Sequence, residues 1–548
     1  MSQNGIGGGD EQQYDALIVG AGFAGIYTLK SLRDDLGLKC LCIDQAGDVG
    51  GTWYWNLYPG AMSDTESYVY RYSWDKDDLA TYPWKEHYVK QPEVLAYLRH
   101  VTEKFGLRRD MEFETMLVGA EWVGEKEGWR VTVKGREGER TVRARYVVMG
   151  LGLLSRQNVP DIRGMDGFEG EMAHTGKWPA GLSVDGKRVG VIGSGSTGIQ
   201  VISEIARKVK TLTCFQRHPQ YSVPSGDRKV TTEYRQWVNE NYDEIWKTVR
   251  DSTTAFGFKE KERQRIFQEN WDKGNGFRFM FGTFNDISID AEANEGACEF
   301  IRSKIDEIVK DPEKARKLKP YDLYARRPLC DGNASSGQTY FEQFNRPNVD
   351  IVDLKETPID QIEAKGIRTG DGHLHELDVI ILATGFDAVE GNYNRMRIHG
   401  RGGKTLKDAW EEGPTSMFGV HIPDFPNFFM INGPLGPFTD NPPAIEAQVE
   451  WITSIIQEAE KASTSSAVIE ATRDGQRRWS EECEKLAANS LFWKAEDNWI
   501  FGANIPGKKR CLRFYFGGMG GFHEELRKCA ANHYPGFEPF AQEQAVKA

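Results

Sequence analysis

At 548 residues, with 39% apolar and 27% charged side chains, the chain is too long for one hydrophobic core and is expected to hold two or three globular domains. A net charge of −12 with no basic stretch argues against a nucleic-acid partner, and no apolar run approaches the length of a membrane span. The opening MSQNGIGGGDEQQ has neither a basic head nor an apolar core, so it reads as a flexible tail rather than a signal peptide, and a cytoplasmic, monomeric enzyme is expected.

The first element is an apolar run, Ala16 to Val19, which reads as a buried parallel strand. It leads directly into Gly20-x-Gly22-Phe23-x-Gly25. Such glycines serve a tight turn, close approach of backbone to a pyrophosphate, and close packing of helix on strand. The helix expected over Ala24 to Leu36 aims its N-terminal N–H groups at the phosphates. A second strand, Lys39 to Ile43, ends in Asp44, whose carboxylate can accept hydrogen bonds from ribose hydroxyls. On that strand Cys40 and Cys42 are expected to point to opposite faces. The eight cysteines include no CxxC and no zinc-like spacing, so neither a disulfide framework nor a metal site is expected. Arg145 to Met149 reads as a further strand, closed by Gly150 and Gly152.

The pattern then repeats. Strand Val189 to Ile192 enters Gly193-Ser194-Gly195-Ser196-Thr197-Gly198, and Ser194, Ser196, Thr197 and Gln200 can complete a pyrophosphate cradle. The next strand, Leu212 to Phe215, ends in Gln216-Arg217 instead of an acid. A carboxylate would repel a 2′-phosphate, whereas a guanidinium pairs with it, so the first turn reads as an FAD site and the second as an NADP site. Charged residues at helical spacing follow, with Trp237, Trp246, Phe267 and Trp271 as buried-side candidates, and imply a helical insertion. Strand Leu377 to Leu382 ends in Ala383-Thr384-Gly385-Phe386-Asp387, a crossing suited to a hinge between nucleotide domains. The expected organisation is interleaved: an FAD-binding domain from 1–151 and 388–548, an NADP-binding domain from 152–222 and 337–387, and a helical insertion at 223–336.

Just before the second turn stands Phe168-x-Gly170-x-x-x-His174-x-x-x-Trp178-Pro179, and the run Gly50 to Gly60 (GGTWYWNLYPG) is followed by Asp64. Both resemble fingerprints of the Baeyer–Villiger monooxygenases, flavoproteins of class B, and the chain is most similar to their cyclohexanone monooxygenase group. The resemblance extends from about Tyr14 to the C-terminal FYFGG and includes YVYRYS, FRFMFGTF, ARRPLC, ATGFD, GPLGPFT and WIFGANIPGK. It implies an α/β fold with two Rossmann-type domains, FAD and NADPH as cofactors, and ketone and dioxygen as substrates. One oxygen atom would be inserted next to a ketone carbonyl, cyclic ketone to lactone, through a C4a-peroxyflavin. Flavin N- or S-oxygenation is the alternative, but related oxygenases of amines and sulfides carry Tyr where Trp178 stands, and that departure favours ketone oxygenation. The missing CxxC speaks against a disulfide reductase, and ketone-dependent NADPH oxidation would separate the enzyme from a nucleotide-binding sensor.

The same resemblance assigns residues. Arg327 would be the catalytic cation, suited to the role because it stays charged at any working pH, and Asp64 the carboxylate that holds it. Gln45, Thr52, Trp53, Trp55, Tyr70, Leu117 and Leu435 would join Asp44 and Asp64 around FAD. Arg326, where relatives usually carry Lys, would meet the 2′-phosphate, with Thr384 on the NADP side and Trp499 on a loop over the nicotinamide. The ketone pocket would be lined by Leu153, Leu154, Phe256, Phe277, Phe438, Thr439, Asn441 and Phe514. Its departures are Asn441, often Leu in relatives, a helical insertion shorter after Phe258, where KEKERQ replaces a longer loop of relatives, and a longer DGNASSGQTY after Cys330. Phe168, Gly170, His174, Trp178 and Pro179 are expected to fix interdomain geometry, with His174 as a hydrogen-bonding residue instead of a general base.

Overall fold

The computed structural model describes residues 11–242, 259–325, 329–330, 339–462, 468–495 and 498–540. The first glycine turn rises from a sheet of eight strands. Its central strand β1 (Gln12–Val19) is paired in parallel with β2 (Cys40–Ile43) on one side and β3 (Gly138–Met149) on the other. Ala16 and Ile18 point into one core, Leu17 and Val19 into the other. Both faces of β1 are therefore covered, as an uninterrupted apolar run requires. Cys40 and Cys42 do not point apart. They stand two positions apart, side chains at that spacing return to the same face, and both join the core that holds Ile18. Both are buried free thiols.

Helix α1 (Phe23–Lys30) is shorter than expected, because the next five residues, Ser31–Asp35, widen into a π turn before Gly37 adopts a left-handed φ of 70°. Arg33 in that turn donates to Phe105 O at 2.8 Å and pairs with Asp110 at 3.0 Å, which ties the helix end to the domain.

The second glycine turn belongs to a separate sheet of five strands, all parallel. In spatial order they are β7 (Val349–Asp353), β6 (Thr211–Gln216), β5 (Arg188–Ile192), β8 (Val379–Leu382) and β4 (Glu171–His174). Helix α2 (Ser196–Ile205) follows β5. The chain returns to the first sheet late, where β9 (Phe428–Met430) pairs in parallel with β3. The outgoing and returning crossings lie side by side: Asn158 N–H donates to Gly385 O at 2.9 Å, Asp387 N–H to Arg156 O at 2.8 Å and Val389 N–H to Leu153 O at 3.0 Å.

Between β6 and β7 lie the helices Thr232–Glu240, Glu260–Lys273, Ala291–Ile308 and Pro312–Leu318. This region is not wholly helical, since Leu329–Cys330 pairs with Ser222–Val223 as a short parallel ladder. The KEKERQ stretch caps and begins helix Glu260–Lys273. Phe267 and Trp271 are buried in the core that also covers β5 and α2. Trp237 is instead 51% exposed. Its helix buries the adjacent Val238 against Leu79 and Tyr242, and one position along a helix turns a side chain by roughly 100°, which carries Trp237 to solvent. Trp246 lies outside the described residues.

Candidate active site

Both glycine turns open onto one cleft of about 1080 Å³. From the first side it is lined by Gly20, Gly22, Phe23, Asp44, Gln45, Thr52, Trp53, Trp55, Asp64, Tyr70 and Leu117. From the second it is lined by Gly193, Ser194, Gly195, Ser196, Thr197, Gln200, Arg217 and Thr384. Leu153, Leu154, Phe277, Phe438, Thr439, Asn441, Trp499 and Phe514 complete the wall. Leu435 does not reach it. It is buried in the first core, where its N–H donates to Arg513 O at 2.8 Å. Phe256, Arg326 and Arg327 lie outside the described residues.

The glycines divide the work of each turn. A Cβ on Gly25 would sit 1.7 Å from Gly20 O, and one on Gly198 would sit 2.2 Å from Gly193 O. These two residues are off the cleft wall and allow helix to rest on strand. A Cβ on Gly195 would meet no protein atom within 4 Å, and one on Gly22 would meet only Gly51, at 3.4 Å. The middle glycines thus leave backbone open to the cleft at the N-termini of α1 and α2, where N–H groups and helix dipole favour a pyrophosphate. The residues present fit two dinucleotides.

Asp44 braces the first turn. Its Oδ2 accepts from Ala21 N–H at 2.6 Å and its Oδ1 from Ala46 N–H at 2.8 Å, which leaves lone pairs for a ribose. Burial raises its pKa, and those two backbone donors oppose the rise.

Asp64 joins the two halves. Ser196 Oγ, at the start of α2, donates to Oδ2 at 3.2 Å, and Gln200 Nε2 donates to Oδ1 at 3.0 Å and to Met62 O at 3.2 Å. Tyr58 OH in turn donates to Gln200 Oε1 at 2.7 Å. The flanks of the ARRPLC motif converge here. Cys330 Sγ lies 3.5 Å from Asp64 O, Leu329 lines the cleft, and Ala325 O accepts from Asn498 Nδ2 at 3.2 Å, next to Trp499.

None of Phe168, Gly170, His174, Trp178 and Pro179 lines the cleft, although Gly176 and Lys177 between them do. His174 Nδ1 accepts from Gly176 N–H at 3.0 Å, which leaves Nε2 to donate to Gly385 O at 3.1 Å. That is a neutral tautomer, and burial lowers its pKa accordingly. The ring binds its own strand end to the returning crossing. Gly170 is packed under Phe168, whose ring would lie 2.5 Å from an added Cβ, and Trp178 is half-buried against the second core.

The far wall is aromatic. Phe514 meets Phe438 with ring centroids 5.5 Å apart and Trp499 edge-on at 5.9 Å. Thr439, Asp440 and Asn441 add polar groups beside it, and Asn441 Oδ1 accepts from Asn432 Nδ2 at 3.2 Å. Tyr58, Asn432, Gly176 and Lys177 were not singled out in the sequence. For each a signal existed: Tyr58 lies within the same GGTWYWNLYPG run, Gly176 and Lys177 lie inside the Phe168–Pro179 fingerprint, and Asn432 directly precedes GPLGPFT.

Residues 14–223 match the flavin-binding monooxygenase-like family. A Baeyer–Villiger monooxygenase of Pseudooceanicola batsensis is 49% identical over 94% of this chain and 94% of its own length. The chain belongs to the Baeyer–Villiger monooxygenases. Cyclohexanone monooxygenase from Rhodococcus sp. Phi1, solved bound to NADP+, is 50% identical over 96% of this chain and 99% of that one, with a TM-score of 0.92. The fold of this Baeyer–Villiger monooxygenase is accordingly α/β with two Rossmann-type domains, for FAD and for NADP. A phenazine N-monooxygenase of Lysobacter antibioticus is 47% identical over 96% of this chain and 97% of its own. Among the described residues no helix is long and apolar enough to cross a membrane, and no group of three or more His, Cys, Asp or Glu could hold a metal ion.

Proposed function

We propose that this Baeyer–Villiger monooxygenase uses NADPH and dioxygen to insert one oxygen atom next to a ketone carbonyl, converting a cyclic ketone to a lactone. The observation that carries the reading is the single cleft onto which both glycine turns open, with Asp64 hydrogen-bonded across it to Ser196 and Gln200. Bound FAD supplies acceptance of hydride from NADPH and activation of dioxygen.

The protein's own part is electrostatic and geometric. The first turn, Asp44 and the 50–64 run hold FAD, and the second turn with Arg217, Arg326 and Thr384 holds NADP. Arg327 provides a permanent cation at the reacting centre, kept in place by Asp64. Such a preorganised charge, fixed in a water-poor site, is worth about 10²–10³ in rate. Trp499 and the aromatic wall exclude water, and an apolar pocket with few polar groups suits a cyclic ketone. The domain limits are those read from the sequence, and the enzyme is taken to be a cytoplasmic monomer without nucleic-acid or membrane partners.

N-oxygenation is the second reading, favoured by the phenazine N-monooxygenase among the relatives. Purified enzyme given NADPH, air and either a cyclic-ketone panel or phenazine distinguishes them. Lactone formation at the higher kcat/KM supports the first reading, and N-oxide formation at the higher kcat/KM replaces it with the second.

A further inference from the structure

The segment that carries Trp499 is fastened to the interdomain crossing by charges withdrawn from solvent. Lys508 Nζ donates to Asp387 Oδ1 at 2.6 Å and to Ala388 O at 2.9 Å, and lies 3.1 Å from Glu390 Oε1. The Lys508, Glu390 and Asp387 side chains are only 11%, 12% and 16% exposed. Arg513, 1% exposed, donates from Nε to Glu390 Oε2 at 2.9 Å, and its Nη2 also pairs with that carboxylate. Gly502, with a φ of 77°, passes under the Arg513 guanidinium, where an added Cβ would sit 2.6 Å from Cζ. A neutral tether runs in parallel, from Asn504 Nδ2 to Phe386 O at 3.1 Å.

The acceptors at the far end, Phe386 to Glu390, follow immediately on the Thr384-Gly385 crossing. That crossing is itself bonded to the outgoing strand end by Asn158 N–H to Gly385 O and Asp387 N–H to Arg156 O. Arg156 also approaches Asp387 Oδ2 at 3.7 Å. By contrast, the Trp499–Phe501 turn is a single 3-10 turn capped by Asn498. A turn that short has little stability of its own, so its placement is governed by the anchors that follow it. Exposed ion pairs contribute little, but removing one partner from a shielded cluster leaves an uncompensated charge.

We propose that Lys508, with Asp387 and Glu390, forms a latch of positioning residues that couples the Trp499 segment to the orientation of the interdomain crossing. The segment then covers the cleft only when the two glycine turns stand in one relative arrangement. The latch touches neither ketone nor cofactor and acts through Trp499. The inference rests on the reading of the cleft as the FAD and NADP site.

Hydrogen–deuterium exchange on FAD-loaded enzyme with NADP+ tests it, comparing wild type with Lys508→Met and Lys508→Arg. In Lys508→Met, exchange is expected to rise about tenfold in 499–505 and in 385–389 together. KM for NADPH should rise by about the same factor, with a larger share of NADPH oxidised without product and FAD content unchanged. Lys508→Arg should restore most of each. Faster exchange confined to 499–505, or no change in either segment, overturns the coupling. Should Lys508→Met fail to fold, Asp387→Asn, which keeps the side-chain shape and removes the charge that Lys508 pairs with, is read in the same way. If the wild type oxygenates no ketone, the functional reading fails, and the exchange comparison still decides the latch.

Discussion

Alanine at Gly195 and alanine at Gly198 should have opposite consequences, although the two glycines belong to one turn. Gly195 has a φ of −75°, which any L-residue adopts, and its added methyl would meet no protein atom within 4 Å. On folding grounds Gly195→Ala should be neutral or stabilising by about 0.4–1 kcal/mol, because it restricts the unfolded chain. The same methyl would occupy the space through which backbone N–H groups reach a pyrophosphate. Loss of one charge-assisted hydrogen bond costs about 1.5–3 kcal/mol, which is roughly a 10- to 100-fold weaker Kd for NADP+. Gly198→Ala instead places its methyl 2.2 Å from Gly193 O and must push α2 away from β5, an overpacking cost of about 1–3 kcal/mol. Thermal unfolding of the FAD-loaded proteins, with calorimetric NADP+ titrations, reads both effects. A Gly195→Ala variant that binds NADP+ as tightly as the wild type, or that is the less stable of the two, would refute this division of roles.

Arg217→Ala should raise KM for NADPH with a smaller change in kcat, as loss of uniform binding does; equal use of NADH and NADPH by the wild type would contradict the assignment of that arginine. Arg327→Ala should lower lactone formation by about 10²–10³, measured by gas chromatography, and full activity in that variant would remove Arg327 from the mechanism. His421 is fully buried, and burial depresses its pKa to about 4. Because the unfolded value is about 6.5, the unfolded chain takes up the proton first. The contribution of His421 is therefore complete above about pH 6.5 and declines as the pH falls towards 4, by about 3 kcal/mol in all. His421→Gln should flatten the dependence of unfolding free energy on pH across that window, and an unchanged slope would rule the residue out.

Both glycine turns were legible in the sequence because each is a local pattern: an uninterrupted buried strand, three glycines with separate steric duties, and a helix. The failures came where a local pattern underdetermines direction. Trp237 lies one position from Val238, and only the packing of Val238 on Leu79 and Tyr242 decides which of them is buried. Leu435 shares a motif with cleft-lining Phe438 but turns into the core beside Arg513. Cys40 and Cys42 are a different case, because the two-residue period of a strand already places both on one face and the expectation of opposite faces ran against it. Contacts between distant segments left no trace in the sequence. Tyr58 reaches Gln200 and Lys508 reaches Asp387 only because the chain folds back between its two sheets.

The enzyme must couple NADPH oxidation to oxygen insertion through a flavin held in one cleft. The decisive measurement is lactone formed per NADPH consumed when purified protein meets air, NADPH and a cyclic ketone. A yellow protein that yields about one lactone per NADPH is the predicted result. A colourless protein that takes up no FAD, or a yellow one that consumes NADPH at a rate indifferent to ketone and forms no lactone, would contradict it.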